Sequence, residues 1–556
     1  LLAEEPERYI YPAVQHGVDR PLPDNIAAGV ADVSQRGEWN RSAPPEFGLP
    51  TEIWREVAAR RQRYAEVHAR LAGGQVTTSD DLITLNLNIR QFVRDVLDTC
   101  TDPALLRSFW QALRSLAVLD PTGGSGAFLF AALNILEDLY DACLERMEWF
   151  LAEQHAAPPT DTRLADFRAT LAEVDRHPNR RYFILKSIIV HNLYAVDIME
   201  EAVEICKLRL FLKLVAQVAR TEQIEPLPDI DFNIRAGNTL VGFVTREDVK
   251  TALEVEQKGG GAAQGRLVFG EEQSAIDRIE AQARAIDKAF GDFRQLQTQL
   301  DAPPASLAAA KAGLKAKLAA LDDELNRLLA RQYGVKVEDA QAYRRWLASH
   351  KPFHWFVEFY GVLARGGFDA IVGNPPYVEL AALTGYQLRG YTCTAAGNLY
   401  AVIVERCMSI GVPFGRQGYI VPVSSISTAR YVPLQNLVAS RELHYSSFDD
   451  RPSRLFDGLE HIRLTIHLLG VQTQKPTLNS TRYNKWSAIE RPSLFHVLRY
   501  ASARRSLVDG SLPKLASEIE HDVVHKLEQV GQPLHRNLLK NSDNAIFYSR
   551  KVWYCL

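Results

Sequence analysis

The chain has 556 residues, of which 46% are hydrophobic and 24% charged, and its formal net charge is −3. These values are ordinary for a globular protein of several units, and the near-neutral charge disfavours a chain devoted wholly to nucleic-acid binding. Six cysteines show no CxxC pair and no metal-ligand spacing, no apolar run reaches membrane-spanning length, and no signal peptide is visible. We therefore expect a cytoplasmic protein with no membrane partner and no bound metal.

The apolar pattern predicts alternating helices and strands after an irregular first 50 residues. Helices are expected at residues 51–71, 82–97, 127–155, 162–175 and 398–411. Strands are expected at Leu116–Leu119, Leu193–Val196, Phe232–Ala236, Phe368–Val372, the first part of Gly418–Thr428, and Leu464–Gly470. Such alternation is typical of a parallel, doubly wound α/β sheet.

Residues 274–332 interrupt this alternation with two apolar helical stretches on either side of Asp301-Ala302-Pro303-Pro304. The pattern predicts an antiparallel helical hairpin. The hairpin could be an arm that contacts DNA or a partner. The interpretation that the pattern favours is a self-packed insertion that only separates two strands.

A glycine-rich turn follows the first predicted strand. The strand ends at Asp120, glycines stand at 123, 124 and 126, and a helix follows. Glycine permits positive φ and close approach of a ligand, and the helix N-terminus offers free N–H groups. No lysine follows the glycines, so the turn is not a phosphate-binding P-loop, and Leu129 occupies the last position of a GxGxxG pattern. A carboxylate here favours a ligand with a positive centre and a free amino group; a tight structural turn is the alternative.

Polar side chains also follow the next two predicted strands. Asp197 ends the second strand, where a carboxylate typically accepts hydrogen bonds from ribose hydroxyls. Asn238 follows the third strand and could reach an adenine edge. Each alone is better explained as a strand-end cap, whereas three suitable strand ends in this order favour a ligand site.

A rigid loop follows the strand at 368–372. After Gly373 come Asn374, Pro375, Pro376 and Tyr377. The prolines remove two backbone donors, fix two φ angles and push Asn374 out of the helical region. The loop is thus poor in donors and carries one amide and one aromatic ring, although a plain rigid turn would have the same sequence.

Four segments together carry a family resemblance: DPTGGSGAFL, LYAVDI, NIRAGNTLV and FDAIVGNPPYVE. They resemble the amino-methylating DNA methyltransferases, and among these the large adenine-specific (N6) enzymes of restriction–modification and phage-defence systems. The resemblance covers roughly residues 110–470. It implies the fold of class I S-adenosylmethionine-dependent methyltransferases, a doubly wound, mostly parallel α/β sheet, here with an inserted helical hairpin and helical flanks.

The resemblance also implies the roles of individual residues. S-adenosylmethionine would be bound by Asp120, Pro121, Thr122, Gly123, Gly124, Gly126, Phe128, Asp197, Ile198 and Asn238. The catalytic residues would be Asn374, Pro375, Pro376 and Tyr377. The substrate would be double-stranded DNA with a flipped adenine, and partner subunits of a defence system would be expected.

The implied chemistry agrees with the physics of the loop. Positive charge grows on the adenine amino nitrogen as the methyl group arrives, so acceptors aimed at its hydrogens stabilise the transition state. The Asn374 side-chain oxygen and the Pro375 carbonyl would be those acceptors, and the Tyr377 ring would stack on the extruded base. No metal and no His or Cys nucleophile is required.

With this resemblance the chain divides into five segments. They are an N-terminal extended and helical region (1–109), the cofactor-binding half of the methyltransferase domain (110–272), the inserted hairpin (273–333), the catalytic half (334–475), and the start of a C-terminal target-recognition region (476–556). Within the last, Arg482–Arg505 is basic and aromatic, which suits nucleic-acid contact or equally a solvated helix. Lys551–Leu556 look like the middle of a strand, so we expect recognition residues to continue beyond them.

Two alternatives to DNA methylation stay open. The same loop serves methyltransferases of RNA bases and of protein glutamine. A cofactor-binding interaction module without catalysis is the second alternative.

Overall fold

The computed structural model describes residues 1–153, 163–220, 225, 228–259, 268–298, 303–503 and 510–530. Lys551–Leu556 and the last residues of the basic segment lie outside these ranges. Among the described residues, no helix is both long and apolar enough to cross a membrane.

Nine strands of the described chain form one sheet. They are β1 (Val118–Asp120), β2 (Leu193–Asp197), β3 (Ile234–Ala236), β4 (Phe368–Gly373), β5 (Gly411–Pro422), β6 (Arg441–Phe448), β7 (Leu464–Gln472), β8 (Leu478–Asn484) and β9 (Ala501–Ser502). Their order is β3-β2-β1-β4-β5-β7-β6-β8-β9. The five neighbouring strands β3, β2, β1, β4 and β5 are parallel to one another. Strand β7 lies between β5 and β6 and is antiparallel to both. The α/β class agrees with the prediction, and the sheet is mixed: its β3-β2-β1-β4-β5 part is parallel as predicted, whereas β7 and β9 pair antiparallel with their neighbours.

The helices precede, connect and follow the strands. They are α1 (Pro12–Gln15), α2 (Asp24–Ala31), α3 (Trp54–Ala72), α4 (Ser79–Thr84), α5 (Ile89–Asp98), α6 (Pro103–Ser115), α7 (Ala127–Glu153), α8 (Ala165–Val174), α9 (Arg180–His191), α10 (Glu200–Val215), α11 (Arg246–Gly259), α12 (Val268–Thr298), α13 (Pro304–Gln332), α14 (Ala340–His350), α15 (Trp355–Glu358), α16 (Tyr360–Leu363), α17 (Leu399–Ile410), α18 (Val432–Val438) and α19 (Glu518–Val530).

Two hydrophobic cores lie on opposite faces of the sheet, because successive side chains of a strand point to opposite sides. Val118 of β1 packs in the core that α5 to α10 cover, whereas Leu119 packs in the core that α17 and α18 cover. The central pairing is β1 with β4, in which Val118 lies opposite Ala370 and the Asp369 carboxylate accepts a hydrogen bond from Ala117 N at 2.8 Å. The two halves of the predicted domain therefore meet where β1 pairs with β4.

The N-terminal region is more structured than predicted. Helices α1 and α2 lie within the first 50 residues, which the sequence suggested were irregular. The single helix expected at 82–97 is two helices, α4 and α5, because Asn86 has a φ of +50° and Asn88 caps α5 by accepting a hydrogen bond from Gln91 N. A residue in the left-handed region ends one helix, and a new cap starts the next.

Strand β6 is missing from the prediction, and the expected C-terminal boundary cuts through the sheet. The sequence of β6 is polar, yet the strand is buried because it lies between β7 and β8. Strand β8 starts two residues after the predicted boundary at residue 476 and pairs with β6. The sheet thus continues into the segment predicted to begin target recognition.

The basic, aromatic segment is not a solvated helix in its described part. It contains a short 3₁₀ turn and β9, and it packs on the N-terminal region. Asn86 Nδ2 donates to the carbonyls of Phe495 and Leu498, and Tyr11 stacks on His496 at 4.2 Å between ring centroids. Nucleic-acid contact by its exposed arginines stays a prediction.

The predicted helical hairpin is present as α12 and α13, and its two helices pack on neighbouring segments as well as on each other. Its inner residues share one core with the chain around β3, as the Phe293 ring shows by contacting Phe232 edge-on at 5.6 Å. Asp231 binds Lys311 and Lys315 of the hairpin at 2.8 and 2.9 Å. The interpretation of an insertion that only separates two strands is therefore wrong, since heptad spacing identifies an apolar face but not what covers it.

We predict that Phe293→Ala destabilises the sheet as well as the hairpin. Phe293 is 1% exposed, and the cavity would lie between the hairpin and Phe232, just before β3, at a cost of about 3–5 kcal/mol. Urea unfolding measures the change in the free energy of unfolding. Hydrogen exchange of the β2 and β3 amides shows whether the sheet itself is destabilised. The exposed Lys317→Ala is the control, with an expected change within about 0.5 kcal/mol. Unchanged exchange in β2 and β3 would mean that the hairpin unfolds on its own.

Candidate functional site

The predicted site residues converge at the carboxyl edge of the central strands. Asp120 lies opposite Ala195, and Asp197 lies opposite Ala236, so the ends of β1, β2 and β3 are in step. The strand order reverses beside β1, where β2 lies on one side and β4 on the other. Such a switch point is where ligands bind in open α/β sheets.

The glycine turn is held by backbone contacts that need small residues. Gly123 N donates to Val196 O at 3.0 Å, and a Cβ on Gly123 would lie 2.8 Å from the Ala195 Cβ. Gly126 has a φ of +82°, and a Cβ there would lie 2.6 Å from the Cys206 Sγ. These glycines bring the start of α7 against β2 and α10, as a strand–turn–helix ligand site requires.

Asp197 joins the turn to the second strand. Its carboxylate accepts hydrogen bonds from Gly124 N at 2.8 Å and from Met199 N at 2.9 Å. A carboxylate has further acceptor sites beyond these two. Ile198 and Met199 follow with 45% and 56% of their surface exposed, so an apolar platform adjoins the carboxylate.

Asp120 is buried at the end of β1, where it is only 1% exposed. Its carboxylate accepts a hydrogen bond from Thr122 N at 3.1 Å. Burial raises the pKa of Asp120 from 3.8 to about 7, and the Asp197 charge adds to the increase. Beside it, Thr122 Oγ1 is buried and makes no well-formed hydrogen bond among the described residues, although its hydroxyl is close enough to the Asp120 carboxyl to lower the pKa of that group. The turn therefore presents an acid that is costly to ionise and a hydroxyl that is unsatisfied.

The remaining residues predicted to bind the cofactor differ in their exposure and in the hydrogen bonds that they already make. Phe128 is half-buried in the first turn of α7, and Pro121 is buried and accepts a hydrogen bond through its carbonyl from the Thr239 hydroxyl at 2.6 Å. Asn238 is 4% exposed; its amide donates to His350 O and to the Tyr386 hydroxyl and accepts from Leu240 N. Asn238 thus supports the site in this structure, and its contact with an adenine edge stays a prediction.

Strand β4 brings the proline loop against the glycine turn. A Cβ placed on Gly373 would lie 3.3 Å from Asp120 Oδ1 and 3.5 Å from Thr122 Oγ1. Gly373 immediately precedes Asn374, so the proline loop begins beside the acid of the turn. Two motifs that stand far apart in the sequence thus adjoin at this edge of the sheet.

Within the loop, the tyrosine hydroxyl holds the asparagine. Tyr377 Oη lies 2.5 Å from Asn374 Oδ1 and 3.0 Å from Ile420 O, and it can donate its single proton to either. Asn374 and Tyr377 are half-buried, Pro375 is buried and Pro376 is exposed. The two oxygens therefore compete for one proton, and the contact with Asn374 Oδ1 is the shorter of the two.

Aromatic residues support the loop from beneath. The Tyr377 ring meets the buried Tyr400 ring edge-on at 6.2 Å, and Tyr400 stacks on Tyr431 at 5.3 Å. Ser424 of the polar loop after β5 lies 3.3 Å from the Tyr400 hydroxyl. The roles of Thr239, Tyr400 and Tyr431 had no local sequence signal, since each depends on a distant partner.

The described residues contain no group of three or more His, Cys, Asp or Glu side chains that could hold a metal ion. The site consists instead of amide, carboxylate, hydroxyl and backbone groups around an apolar platform.

Comparison with known proteins agrees with this arrangement. Residues 191–447 match the family model "Eco57I restriction-modification methylase". A Methanocaldococcus jannaschii protein named "Putative type II restriction enzyme and methyltransferase RM.MjaORFECS2P" is 25% identical over 376 residues, which are 62% of this chain. The match spans 29% of that relative's length. The chain is thus similar to restriction–modification methyltransferases over the β2 to β6 region.

Solved structures of the same kind show weaker likeness. The DrdV–DNA complex and the DNA-bound LlaBIII enzyme are each 11% identical, with TM-scores of 0.33, and the alignments cover 89% and 92% of this chain and 39% and 31% of theirs. The M protein of EcoKI is 10% identical, with a TM-score of 0.29, over 83% of this chain and 64% of its own. These scores are too low to define the fold, which follows from the strand order itself.

We predict that Asp120→Asn removes a pH dependence of stability. The pKa of Asp120 is higher in the folded than in the unfolded chain. Its contribution to the free energy of unfolding is therefore fully present below pH 3.8 and is lost as the pH rises towards about 7. The variant should match the wild type at pH 4 and exceed it at pH 8, by at most about 4 kcal/mol. Urea unfolding across this pH range measures it, with the exposed Asp138→Asn of α7 as the control. Parallel pH profiles for wild type and Asp120→Asn would contradict the burial argument.

Proposed function

We propose that the chain transfers a methyl group from S-adenosylmethionine to the exocyclic amine of adenine in DNA, in a cytoplasmic restriction–modification or phage-defence system with partner subunits. The observation that carries the proposal is the contact at Gly373, which places the Asn374 loop directly against the glycine turn. A reaction between a bound cofactor and an amine needs the two binding regions to adjoin. The class I methyltransferase fold and the adenine specificity are part of the same proposal.

The residues at the glycine turn fit S-adenosylmethionine. The unsatisfied Thr122 hydroxyl and the buried Asp120 carboxyl lie where a polar, positively charged group would complete their bonding. The Asp197 carboxylate keeps free acceptor sites for ribose hydroxyls, and the exposed Ile198 offers an apolar surface for an adenine ring. When bound, the cofactor would supply a methyl group on a sulfonium, which is already a good leaving group.

The loop would act on the target amine through acceptors. Asn374 Oδ1 and the Pro375 carbonyl would accept hydrogen bonds from the amino group and stabilise the charge that develops on its nitrogen. Tyr377 keeps the Asn374 oxygen in place through a hydroxyl held between it and Ile420 O. Since Tyr377 is half-buried and rests on Tyr400, its ring has both a fixed position and an exposed part on which a flipped base could stack.

Methyl transfer with labelled S-adenosylmethionine to plasmid DNA, total RNA and a glutamine-containing release factor tests the substrate class. The proposal expects label in DNA only. Label in RNA or protein would replace DNA by that substrate, and cofactor binding without transfer to any of the three would favour an interaction module.

We predict that Asn374→Ala slows methyl transfer about 10²–10³-fold, since loss of one preorganised partner of the developing charge costs roughly 3–4 kcal/mol. Single-turnover methylation of saturating DNA measures the rate, and calorimetry with S-adenosylhomocysteine should show unchanged affinity. Asn134→Ala, the same change on the exposed face of α7, should keep the wild-type rate. A wild-type rate in Asn374→Ala would remove the amide from the mechanism.

Tyr377→Phe should slow transfer by up to about tenfold, because the ring remains but the amide of Asn374 loses its anchor. The effect is far smaller than that expected for Asn374→Ala, since the ring on which a base could stack remains. In Tyr377→Ala both ring and anchor are lost, so capture of the base should weaken further. If Tyr377→Phe and wild type transfer at equal single-turnover rates, the hydroxyl does not position Asn374.

A further inference from the structure

An exposed ion pair adjoins the proline loop. Arg430 lies in the 3₁₀ turn Ala429–Tyr431 that follows β5, and Glu379 stands two residues after Tyr377. The guanidinium donates to both carboxylate oxygens, from Nη2 at 2.7 Å and from Nη1 at 3.1 Å. The pair therefore connects the catalytic loop to the loop after β5.

The guanidinium is held in a fixed position relative to the catalytic tyrosine. Arg430 Nη2 also donates to the Tyr431 hydroxyl at 2.9 Å, and the guanidinium carbon lies 4.9 Å from the centre of that ring. Tyr431 stacks on Tyr400, which in turn meets Tyr377 edge-on. Ring contacts through Tyr431 and Tyr400 thus connect Arg430 to Tyr377.

Glu379 is anchored as well. The Asn398 amide donates to its Oε1 at 3.2 Å, and Leu380 N donates to Gly397 O at 2.8 Å. The carboxylate of Glu379 therefore holds the Arg430 guanidinium in one orientation.

The ion pair is exposed and can be exchanged. The side chains of Arg430 and Glu379 are 44% and 48% exposed, and water screens ion pairs of this kind. Arginine binds phosphate oxygens in the same two-pronged geometry that it uses for a carboxylate. A phosphate that arrives at this ion pair can therefore take the place of Glu379 without moving the guanidinium.

We propose that Arg430 binds the backbone phosphate of the nucleotide whose base enters the pocket, and that Glu379 holds the guanidinium ready until that phosphate replaces it. This inference rests on the proposed function and adds a substrate contact to it. Arg430 is a binding residue for the DNA backbone, and Glu379 is a positioning residue.

The experiment measures the KM for DNA and kcat for methylation of a duplex over a range of salt concentrations. The variants are Arg430→Ala, Arg430→Lys, Glu379→Gln and the double variant Arg430→Ala/Glu379→Gln, with Arg94→Ala on the distant α5 as the matched control. Thermal melting of each variant checks that it is folded.

Loss of the phosphate contact should raise the KM for DNA about tenfold in both variants that lack Arg430, with a smaller effect on kcat. The slope of log KM against log salt should flatten by about 1 in these variants. Arg430→Lys should restore the slope but only part of the affinity, because lysine keeps the charge and loses the two-pronged geometry. Glu379→Gln should have a KM at or below that of the wild type.

Two results would overturn the proposal. One is a double variant with the wild-type KM and salt slope. The other is a Glu379→Gln variant with the full defect of Arg430→Ala, since the pair would then serve only to hold the two loops together. If the wild-type chain methylates no DNA, the proposed function itself is wrong. If the wild type methylates DNA but either of the two results above is found, only the phosphate contact is wrong.

Discussion

Everything in the candidate site depends on the pairing of β1 with β4. This contact joins residues 252 positions apart, as the hydrogen bond from Ala117 N to the Asp369 carboxylate shows. It places the glycine turn after β1 beside the proline loop after β4, so that Gly373 packs against Asp120 and Thr122. The intervening helices and the hairpin must close a very long loop for this pairing to form. Their shared cores with the sheet provide the burial that offsets the entropy of closure.

The site combines two kinds of constraint. At the turn, small residues are required because backbone, Ala195 and Cys206 leave no room for side chains. At the loop, prolines are required because they hold carbonyl and amide oxygens in place without competing donors. A catalyst that works by directing acceptors at a developing charge needs this preorganisation, since acceptors that must reorient during the reaction stabilise the transition state less.

The local parts of this arrangement could be predicted from sequence. A buried strand that ends in glycines, or in Asn-Pro-Pro, determines its own backbone within a few residues, so the turn and the loop are where the sequence placed them. The predicted helices α7, α12, α13 and α17 also exist, because their apolar periodicity is long and regular.

The distant contacts could not be predicted from sequence. Asn238 is committed to His350 and Tyr386, and the Tyr377 hydroxyl is held by Ile420 O, and neither partner is a neighbour in the chain. Strand β6 has no apolar pattern in its sequence, because it lies between two strands that satisfy its polar backbone groups in place of water. The apolar face of the hairpin likewise identifies a buried surface, and only the fold shows that the chain on either side of β3 covers it.

The central claim is that the loop acts on an exocyclic amine of adenine through oxygen acceptors. The most direct measurement is mass spectrometry of nucleosides from DNA methylated by this chain with deuterium-labelled S-adenosylmethionine. The account predicts that the label is found in 6-methyladenine. Label on the C5 carbon of cytosine would contradict it, because that reaction needs a covalent nucleophile and not a pair of acceptors, and label in N4-methylcytosine would keep the loop chemistry but contradict the adenine target.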